Sequence, residues 1–227
     1  MPISIIIPTL NEASTIGSLL AYLNERCVEQ PEIIIVDGGS TDDTLQIIEA
    51  YDIQLVQSAV SRRSVQLNIG AEHASHDILY FLHADSFPPK RFDSIIREAV
   101  EGGIEVGCFR LQFDDFHWFL RLSAWFTRFS CSFLRGGDQS LFITKKCFQQ
   151  YEGYTNTLLV MEDIEIIRRV RAHTPFKVLS QSVVTSARKY KRNGVFRLQF
   201  IFFIIHLMYT FSCSQEQIKK FYQKNIH

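Results

Sequence analysis

Residues 78–85 read Ile-Leu-Tyr-Phe-Leu-His-Ala-Asp, an apolar run that stops at a histidine and an aspartate. The run is short and made of branched and aromatic side chains, which favours a buried strand over a helix. Pro88 and Pro89 then interrupt regular structure. Open α/β sheets bind ligands at the carboxyl ends of their strands. We therefore expect Asp85 to hold a divalent metal ion, and the metal ion to hold a diphosphate.

Three similar runs precede this one, with helical patterns between them. The strands are predicted at 4–7, 33–36 and 53–56. The first helix is predicted to begin at 11–12, the second after a cap at Thr41 or Asp42, and the third spans 64–74. Alternation of strands and helices with short connections is typical of a parallel sheet that is covered by helices on both faces.

The second half of the chain has a mixed pattern. The predicted helices are 92–100, 116–134 and 164–172, and the predicted strands are 107–113, 139–144 and 183–186. The end of the chain is helical, and Ser214 and Gln217 match a capping box. The sequence therefore predicts an α/β fold with one continuous sheet, a main domain at 1–194 and a helical extension at 195–227.

The composition restricts the class of protein. Among 227 residues, Lys plus Arg equals Asp plus Glu at 24 each, so net charge does not favour nucleic acid as a partner. The five cysteines are scattered and lack a CxxC pair, which is typical of a reducing compartment rather than of a disulfide framework.

Targeting signals are also missing from the pattern. The N-terminus has no basic segment followed by an apolar one, and residues 195–211 are interrupted by Arg197, Gln199 and His206. That run is shorter than the ~20 apolar residues that a spanning helix needs. We expect a cytoplasmic protein that is soluble or peripheral at the inner face of the membrane.

Polar loops follow the first two predicted strands. The first is Pro8-Thr9-Leu10-Asn11-Glu12, and the second is Asp37-Gly38-Gly39-Ser40. Neighbouring parallel strands open such loops at the same edge of a sheet. There Glu12 could accept from ribose hydroxyls and Asp37 from a base N–H, while the glycines permit close approach of the backbone. The alternative is that residues 37–39 form only a turn and a helix cap.

Acidic residues occur at two further strand and helix ends. Asp85 suits Mg²⁺ or Mn²⁺, which prefer oxygen ligands and bridge phosphates, although a lone acid there is more commonly a cap or turn residue. Glu162 and Asp163 begin a helix, whose dipole keeps a carboxylate ionised and able to accept a proton. The alternative is that these two acids only compensate the dipole of the helix.

Basic residues occur in two groups, Arg62-Arg63 and Arg188-Lys189-Tyr190-Lys191-Arg192. A diphosphate leaving group needs cationic partners, and the planar fork of arginine suits it. Solvated surface charge is the ordinary explanation of such a run.

Together these segments resemble a known family. Residues 5–12 (IIIPTLNE) and 34–42 (IIVDGGSTD) are similar to the nucleotide-binding half of family 2 glycosyltransferases, which have the GT-A fold. The later segments resemble one branch of that family, the arsenosugar-biosynthesis-type glycosyltransferases. These segments are residues 66–71, 81–85, 137–139, 161–163 and 185–188.

The resemblance implies an inverting transfer of a sugar from a nucleoside diphosphate sugar, preferably a UDP-sugar, to an acceptor hydroxyl. It implies Mg²⁺ or Mn²⁺ as cofactor, a nucleotide-binding half at about 1–90 and an acceptor half at about 91–194. The acceptor would be a small molecule or a lipid-linked one. Membrane association and dimerisation are both compatible with the pattern, and nucleic acid is not an expected partner.

The resemblance also implies roles for individual residues. Asp163 would be the general base with Glu162 beside it, Asp85 the metal ligand, and Arg188 and Lys189 the partners of the diphosphate. The implied nucleotide-binding residues are Pro8, Thr9, Asn11, Glu12, Asp37, Gly39, Arg63, Asn68, His83 and Ala84, and the implied acceptor residues are Gly137, Asp138 and Gln139.

Three positions depart from the family pattern. His83 stands where most members have the first acid of the metal motif, although this branch commonly has histidine there. Arg62 replaces a glycine before Arg63, and Tyr190 replaces a tryptophan. Asp85 is therefore expected to be the sole acidic metal ligand, with weak metal binding until a diphosphate arrives.

The predicted helix at 116–134 supports a second hypothesis. Arginines recur every seven residues on one face, and an apolar stripe of Phe119, Leu122, Phe126, Phe129 and Phe133 accompanies Arg121, Arg128 and Arg135. With the Phe-rich stretch 200–211, this helix could rest on a membrane surface. We favour the alternative that the stripe packs in the core or at a dimer interface.

Two rival functions use a similar sheet and nucleotide. A nucleotidyltransferase would commonly have a glycine-rich phosphate loop with a lysine after the first strand, where this chain has Asn11-Glu12. A non-catalytic sensor of nucleotide sugars would bind without turnover, and intact Asp85, Asp163 and Arg188 argue against it.

Overall fold

The computed structural model describes residues 1–129 and 139–226. The strands are β1 (Ile3–Thr9), β2 (Glu32–Asp37), β3 (Gln54–Gln57), β4 (Ile78–Phe81), β5 (Ser86–Phe87), β6 (Val106–Phe113), β7 (Leu141–Thr144) and β8 (Phe176–Thr185). The helices are α1 (Ile16–Arg26), α2 (Thr44–Ile48), α3 (Arg63–His73), α4 (Phe92–Glu101), α5 (Trp118–Phe126), α6 (Lys145–Gln150), α7 (Glu162–Arg171), α8 (Arg188–Asn193), α9 (Val195–Thr210) and α10 (Gln215–Asn225).

The strands form one continuous sheet in the order β3-β2-β1-β4-β7-β6-β8-β5. The first four pair in parallel, as the alternation of strands and helices predicts. β7 then joins β4 to β6 with antiparallel pairing on both sides, whereas β6 and β8 are parallel. The α/β fold and the single sheet that the sequence predicts are confirmed.

Apolar residues pack on both faces of this sheet. Alternate residues of β1 point to opposite sides, so Ile5 and Ile7 pack with α1 and α4, and Ile6 packs with α3 and α7. Such strands are buried on both faces, which is why they are continuous apolar runs in the sequence.

Gly70 sets the distance between α3 and the sheet. A Cβ atom at this position would lie 2.3 Å from Cγ2 of Ile6 and 3.2 Å from Cγ2 of Val36. Glycine therefore allows α3 to pack directly on β1 and β2. Because α3 begins at Arg63, this packing also determines where that side chain lies.

Several predicted boundaries are wrong. The helix expected at 11–12 begins at Ile16, because Asn11 has a left-handed backbone (φ 57°) and residues 12–15 form a turn. α2 begins only at Thr44, whose N–H donates to the carboxylate of Asp42. The capping box at Ser214 and Gln217 is confirmed.

The aromatic helix is shorter than predicted and faces differently. α5 ends at Phe126, where the Thr127 hydroxyl donates to the Ala124 carbonyl and accepts from the Leu111 N–H. Its core-facing residues are Leu120 and Ala124, whereas Leu122, Phe126 and Phe129 of the predicted stripe are at least 39% exposed. Core packing of those three side chains is therefore wrong, and Phe133 and Arg135 lie outside the described residues.

The described part of the chain contains no helix that is long and apolar enough to cross a membrane. Four of the cysteines, Cys27, Cys108, Cys147 and Cys213, are free thiols. Burial raises the pKa of Cys27 to about 12 and that of Cys147 to about 11.

Candidate active site

A cavity of about 710 Å³ opens at the carboxyl ends of β1 and β4. Most of the residues predicted for a nucleotide and catalytic site line it. They are Pro8, Thr9, Glu12, Arg63, His83, Ala84, Asp85, Glu162, Asp163, Arg188 and Lys189. The loops after β1, β4 and β8 and the first turns of α3 and α7 bring them together.

One charged cluster lies between the first turns of α3 and α7. Nη2 of Arg63 lies 3.2 Å from Oδ2 of Asp163, and Nε lies 3.5 Å from Oε1 of Glu162. Nη2 of Arg63 also contacts the ring of His83. Met161, immediately before α7, has a left-handed backbone (φ 72°), which is strained for a non-glycine residue and orients the first turn of α7. The candidate base is therefore held by an arginine at the cavity wall.

A second charged cluster lines the same cavity. Nη2 of Arg188 donates to both oxygens of Glu12, at 2.8 and 2.9 Å, and lies 3.3 Å from Oδ2 of Asp85. Burial alone would lower the pKa of Arg188, but the hydrogen bond to Glu12 and both negative charges outweigh it and raise that pKa. Arg188 is thus a permanent cation between two acids.

The donor set around Asp85 fits a metal ion that a diphosphate helps to hold. Within residues 1–129 and 139–226, no group of three or more His, Cys, Asp or Glu side chains could hold a metal ion. Mg²⁺ commonly uses one or two protein carboxylates and completes its octahedron with water and phosphate oxygens. Asp85 can supply one such carboxylate oxygen, and Glu12 converges with it on Arg188.

Asp37 organises the loop that follows β2. Its carboxylate accepts from the N–H groups of Gly39 and Ser40 at 2.8 Å each and from the hydroxyl of Thr9 at 3.2 Å. The side chain is buried and does not line the cavity. Gly39 has φ 94°, so it provides the left-handed position that this turn needs. The turn foreseen as the alternative is present, and contact of Asp37 with a base remains a prediction.

Other predicted residues lie away from the main cavity. Asn11 lines a smaller cavity of about 410 Å³ with Arg188, Lys189 and Arg192. Asn68 binds the loop after α6 through the carbonyl and N–H of Tyr154. Gln139 is buried, and its amide donates to the Phe109 carbonyl at 3.4 Å. Gly137 and Asp138 lie outside the described residues.

Two residues were missed by the sequence analysis. Gln66 lines the cavity, and its amide donates to the carbonyls of Thr9 (2.9 Å) and Val36 (2.8 Å), so it ties together the ends of β1 and β2. Tyr154 is buried beside Asp163, and burial, reinforced by the negative charge of Asp163, raises the pKa of its phenol well above the usual value. The sequence contains no local signal for the contacts of Gln66, because their partners are distant along the chain.

The remaining wall comes from the helices of the second half. Its residues include Ser123 and Phe126 of α5, Gln199, Phe202 and His206 of α9, and Lys219 and Tyr222 of α10. Burial, supported by the charge of Arg168, lowers the pKa of His206 despite the hydrogen bond to the Phe202 carbonyl. Tyr190 packs edge-on against Phe113 and donates to Gln199, so the replaced tryptophan position is part of this wall.

Comparison with known proteins identifies the family. The model described as "Glycosyl transferase family 2" matches residues 4–155. The chain therefore belongs to the family 2 glycosyltransferases, a family of sugar-transferring enzymes, as the motifs predict.

Two curated relatives are named for their reactions. An undecaprenyl-phosphate 4-deoxy-4-formamido-L-arabinose transferase of Klebsiella pneumoniae (strain 342) is 29% identical over 124 residues, or 50% of this chain and 38% of the relative. A PGL/p-HBAD biosynthesis glycosyltransferase of Mycobacterium bovis is 35% identical over 88 residues, or 36% of this chain and 34% of the relative. The matched part is thus little more than a third of each relative.

Solved structures share the fold. TarS 1–349 of S. aureus in complex with UDP-GlcNAc superposes with a TM-score of 0.66 at 17% identity, covering 82% of this chain and 58% of the TarS 1–349 chain. The mannosyltransferase PcManGT from Pyrobaculum calidifontis, in complex with GDP-Man and Mn²⁺, has a TM-score of 0.70 at 17% identity. That superposition covers 89% of this chain and 61% of the PcManGT chain. The GT-A fold expected from the sequence is confirmed.

Proposed function

We propose that this protein transfers a sugar from a nucleoside diphosphate sugar to an acceptor hydroxyl with inversion at the anomeric carbon. One observation carries the proposal. Glu162 and Asp163, which pair with Arg63, line the same cavity as Arg188. Arg188 in turn pairs with Glu12 and Asp85. A proton acceptor and a cationic partner for a leaving diphosphate are the two groups that a direct displacement requires.

In the proposed reaction, Asp163 accepts the proton of the acceptor hydroxyl. The acceptor oxygen forms its bond to the anomeric carbon from the face opposite the diphosphate, and the bond to the diphosphate oxygen breaks with its electron pair. A single displacement inverts the configuration. Glu162, which is more buried than Asp163, shares Arg63 with it and helps to fix that side chain.

Cations stabilise the departing diphosphate in this proposal. Arg188 and Lys189 line the cavity beside Asp85 and would neutralise the charge that develops on the leaving oxygens. Asp85 is the residue that would hold Mg²⁺ or Mn²⁺, which when bound supplies Lewis-acid stabilisation of the same charge. The complex of PcManGT with GDP-Man and Mn²⁺ supports this part of the proposal.

A UDP-sugar is the preferred donor, in keeping with the UDP-GlcNAc bound by TarS. The acceptor is a small molecule or a lipid-linked one, and the name of the undecaprenyl-phosphate relative supports the second choice. We also retain the arsenosugar-biosynthesis-type branch and a cytoplasmic site of action as parts of the proposal, which rest on the motifs at 81–85 and 185–188 and on the cysteine pattern.

The test begins with a thermal-shift screen of UDP-, GDP- and TDP-sugars in the presence of Mn²⁺. Release of the nucleoside diphosphate from the best donor, with water or a verified acceptor, then reports turnover. Asp163→Asn should lower that rate by about 10²–10⁴-fold with donor affinity preserved, because only the proton acceptor is lost. Asp52→Asn, at an exposed turn, is the matched control. Wild-type turnover by Asp163→Asn would refute the assignment.

The same assay separates the rival functions. A non-catalytic sensor would bind the donor without turnover, and a nucleotidyltransferase would release pyrophosphate from a nucleoside triphosphate and a sugar phosphate. Release of the nucleoside diphosphate distinguishes the proposed reaction from both.

A further inference from the structure

Two helices carry exposed apolar stripes that the proposed reaction does not use. In α5, Trp118, Leu122 and Trp125 recur at helical spacing and are 63%, 44% and 44% exposed. In α9, Phe196 and Phe200 are 57% and 63% exposed. We call these five side chains the aromatic face.

The two stripes are continuous with each other. The rings of Trp118 and Phe196 lie 6.1 Å apart, and the ring of Phe119 lies 5.0 Å from that of Phe196. The opposite sides of the same helices are anchored in the protein, by Leu120 and Ala124 in α5 and by Leu198 and Ile201 in α9. The exposure of the aromatic face is therefore a property of well-packed helices and not of a frayed segment.

The charged side chains of α5, of the residues that follow it to 129, and of α9 are all positive. Neither α5 nor α9 contains an aspartate or glutamate, whereas Arg121, Arg128 and Arg197 are exposed. The guanidinium of Arg128 stacks on Trp125 at 4.4 Å from the ring centroid. The acids that precede α5 are engaged, because Asp114 accepts from the Ala187 N–H and Asp115 pairs with Lys191.

We propose that the aromatic face docks on an anionic lipid surface, with its rings at the level of the headgroups and its arginines on lipid phosphates. Exposed tryptophans and phenylalanines accompanied by exposed arginines match the chemistry of that interface. A second copy of this chain would place like charges opposite one another, which disfavours the dimer as occupant.

The position of this surface has a consequence that rests on the proposed function. Phe126 of α5 and Gln199 and Phe202 of α9 line the cavity that contains Asp163. The helices that dock thus also supply walls of the cavity. An acceptor anchored in the bilayer would reach the cavity between them without leaving the membrane surface.

Flotation with vesicles of phosphatidylcholine containing phosphatidylglycerol tests the proposal on the full chain. The wild type should float with these vesicles and much less with pure phosphatidylcholine, and raised salt should weaken the binding. The triple variant Trp118→Ser, Phe196→Ser, Phe200→Ser should lower the partition coefficient about tenfold or more. Replacing Arg121, Arg128 and Arg197 by Gln should lower it on anionic vesicles alone.

Matched controls keep the outcome interpretable. Val28→Ser with Val60→Ser removes exposed apolar side chains from other loops and should leave flotation unchanged. Donor binding should be preserved in all variants, so that misfolding and failure of the proposed function remain distinguishable. Absence of the wild type from the floating fraction would overturn the proposal. So would an equal loss in the valine control, or a dimer that the triple variant abolishes while no form binds vesicles.

Discussion

Arg63 and Asp163 form an ion pair of 3.2 Å, although each lies at the first turn of a different helix. The helix dipole favours an acid at that position and disfavours a cation. The carboxylates at the start of α7 therefore stabilise the arginine at the start of α3. In return, the arginine fixes the orientation of the candidate base, and the ion pair joins the first turn of α3 to the first turn of α7.

Substitution of Arg63 should affect turnover more than donor affinity. We expect Arg63→Gln to lower kcat by about 10–100-fold, because loss of the guanidinium releases Asp163 from its position. The kcat of Arg63→Lys should lie between those of the wild type and Arg63→Gln, since lysine keeps the charge but not the planar fork. Steady-state kinetics on a verified donor measure the effect. Arg62→Gln is the control, because Arg62 binds the Asn156 carbonyl instead, and an equal loss there would contradict the role of Arg63.

Removal of Asp85 should abolish the metal-dependent part of nucleotide binding. Calorimetry of UDP binding with Mn²⁺ and with EDTA gives that part as a difference for each protein. In Asp85→Ala the two affinities should become equal, while Arg188 keeps its hydrogen bonds to Glu12. A persisting Mn²⁺ effect of wild-type size would exclude Asp85 from the metal site. Asp52→Asn should behave as the wild type.

The buried tyrosines predict a loss of stability in alkali. Burial raises the pKa of Tyr80 and of Tyr154, and the charge of Asp163 adds to the effect on Tyr154. Above about pH 10 the unfolded chain loses the phenol proton while the folded chain keeps it. The free energy of unfolding should then fall with pH, by up to about 1.4 kcal/mol per unit for each such tyrosine.

Urea denaturation across this range tests the prediction. Tyr154→Phe should show a shallower fall than the wild type, by about one proton's contribution. Identical slopes in the wild type and Tyr154→Phe would show that the buried phenol does not contribute.

Gly70→Ala should destabilise the protein by about 1–3 kcal/mol, because the new methyl group would overlap Ile6 and force α3 away from the sheet. Ile6→Leu moves the branch away from Cβ, so the double variant should recover part of the loss. Gly17→Ala is a milder control, since its methyl would lie 3.1 Å from the side chain of Ile47 and 4.0 Å from the hydroxyl of Tyr51. Thermal unfolding provides the comparison, and equal losses at Gly70 and Gly17 would contradict this account.

The first half of the fold could be predicted because its information is local. The apolar runs at 33–36 and 78–82 specify strands that are buried on both faces, and β2 and β4 lie there. Pairing in the second half could not be predicted. β7 inserts between β4 and β6, and β5 has only two residues, so neighbouring segments of the sequence carry no signal for these partners.

The candidate site shows the same division. Asp85, Asp163 and Arg188 follow strands or begin helices, and their order resembles a family motif, so they could be selected from the sequence as candidates that line one cavity. Gln66 binds carbonyls that lie 57 and 30 residues away along the chain, and no spacing rule connects them. Such contacts exist only after the sheet has brought the ends of β1 and β2 under α3.

The hydrogen bonds between Arg188 and Glu12 join residues that are 176 positions apart. Contacts of such long sequence separation form late, because the entropy of closing the loop must first be overcome. The segment 4–155 that matches the family ends before both Asp163 and Arg188. The proposed base and the proposed diphosphate partner therefore lie in the last third of the chain, and we expect the proposed reaction to require that this third has folded.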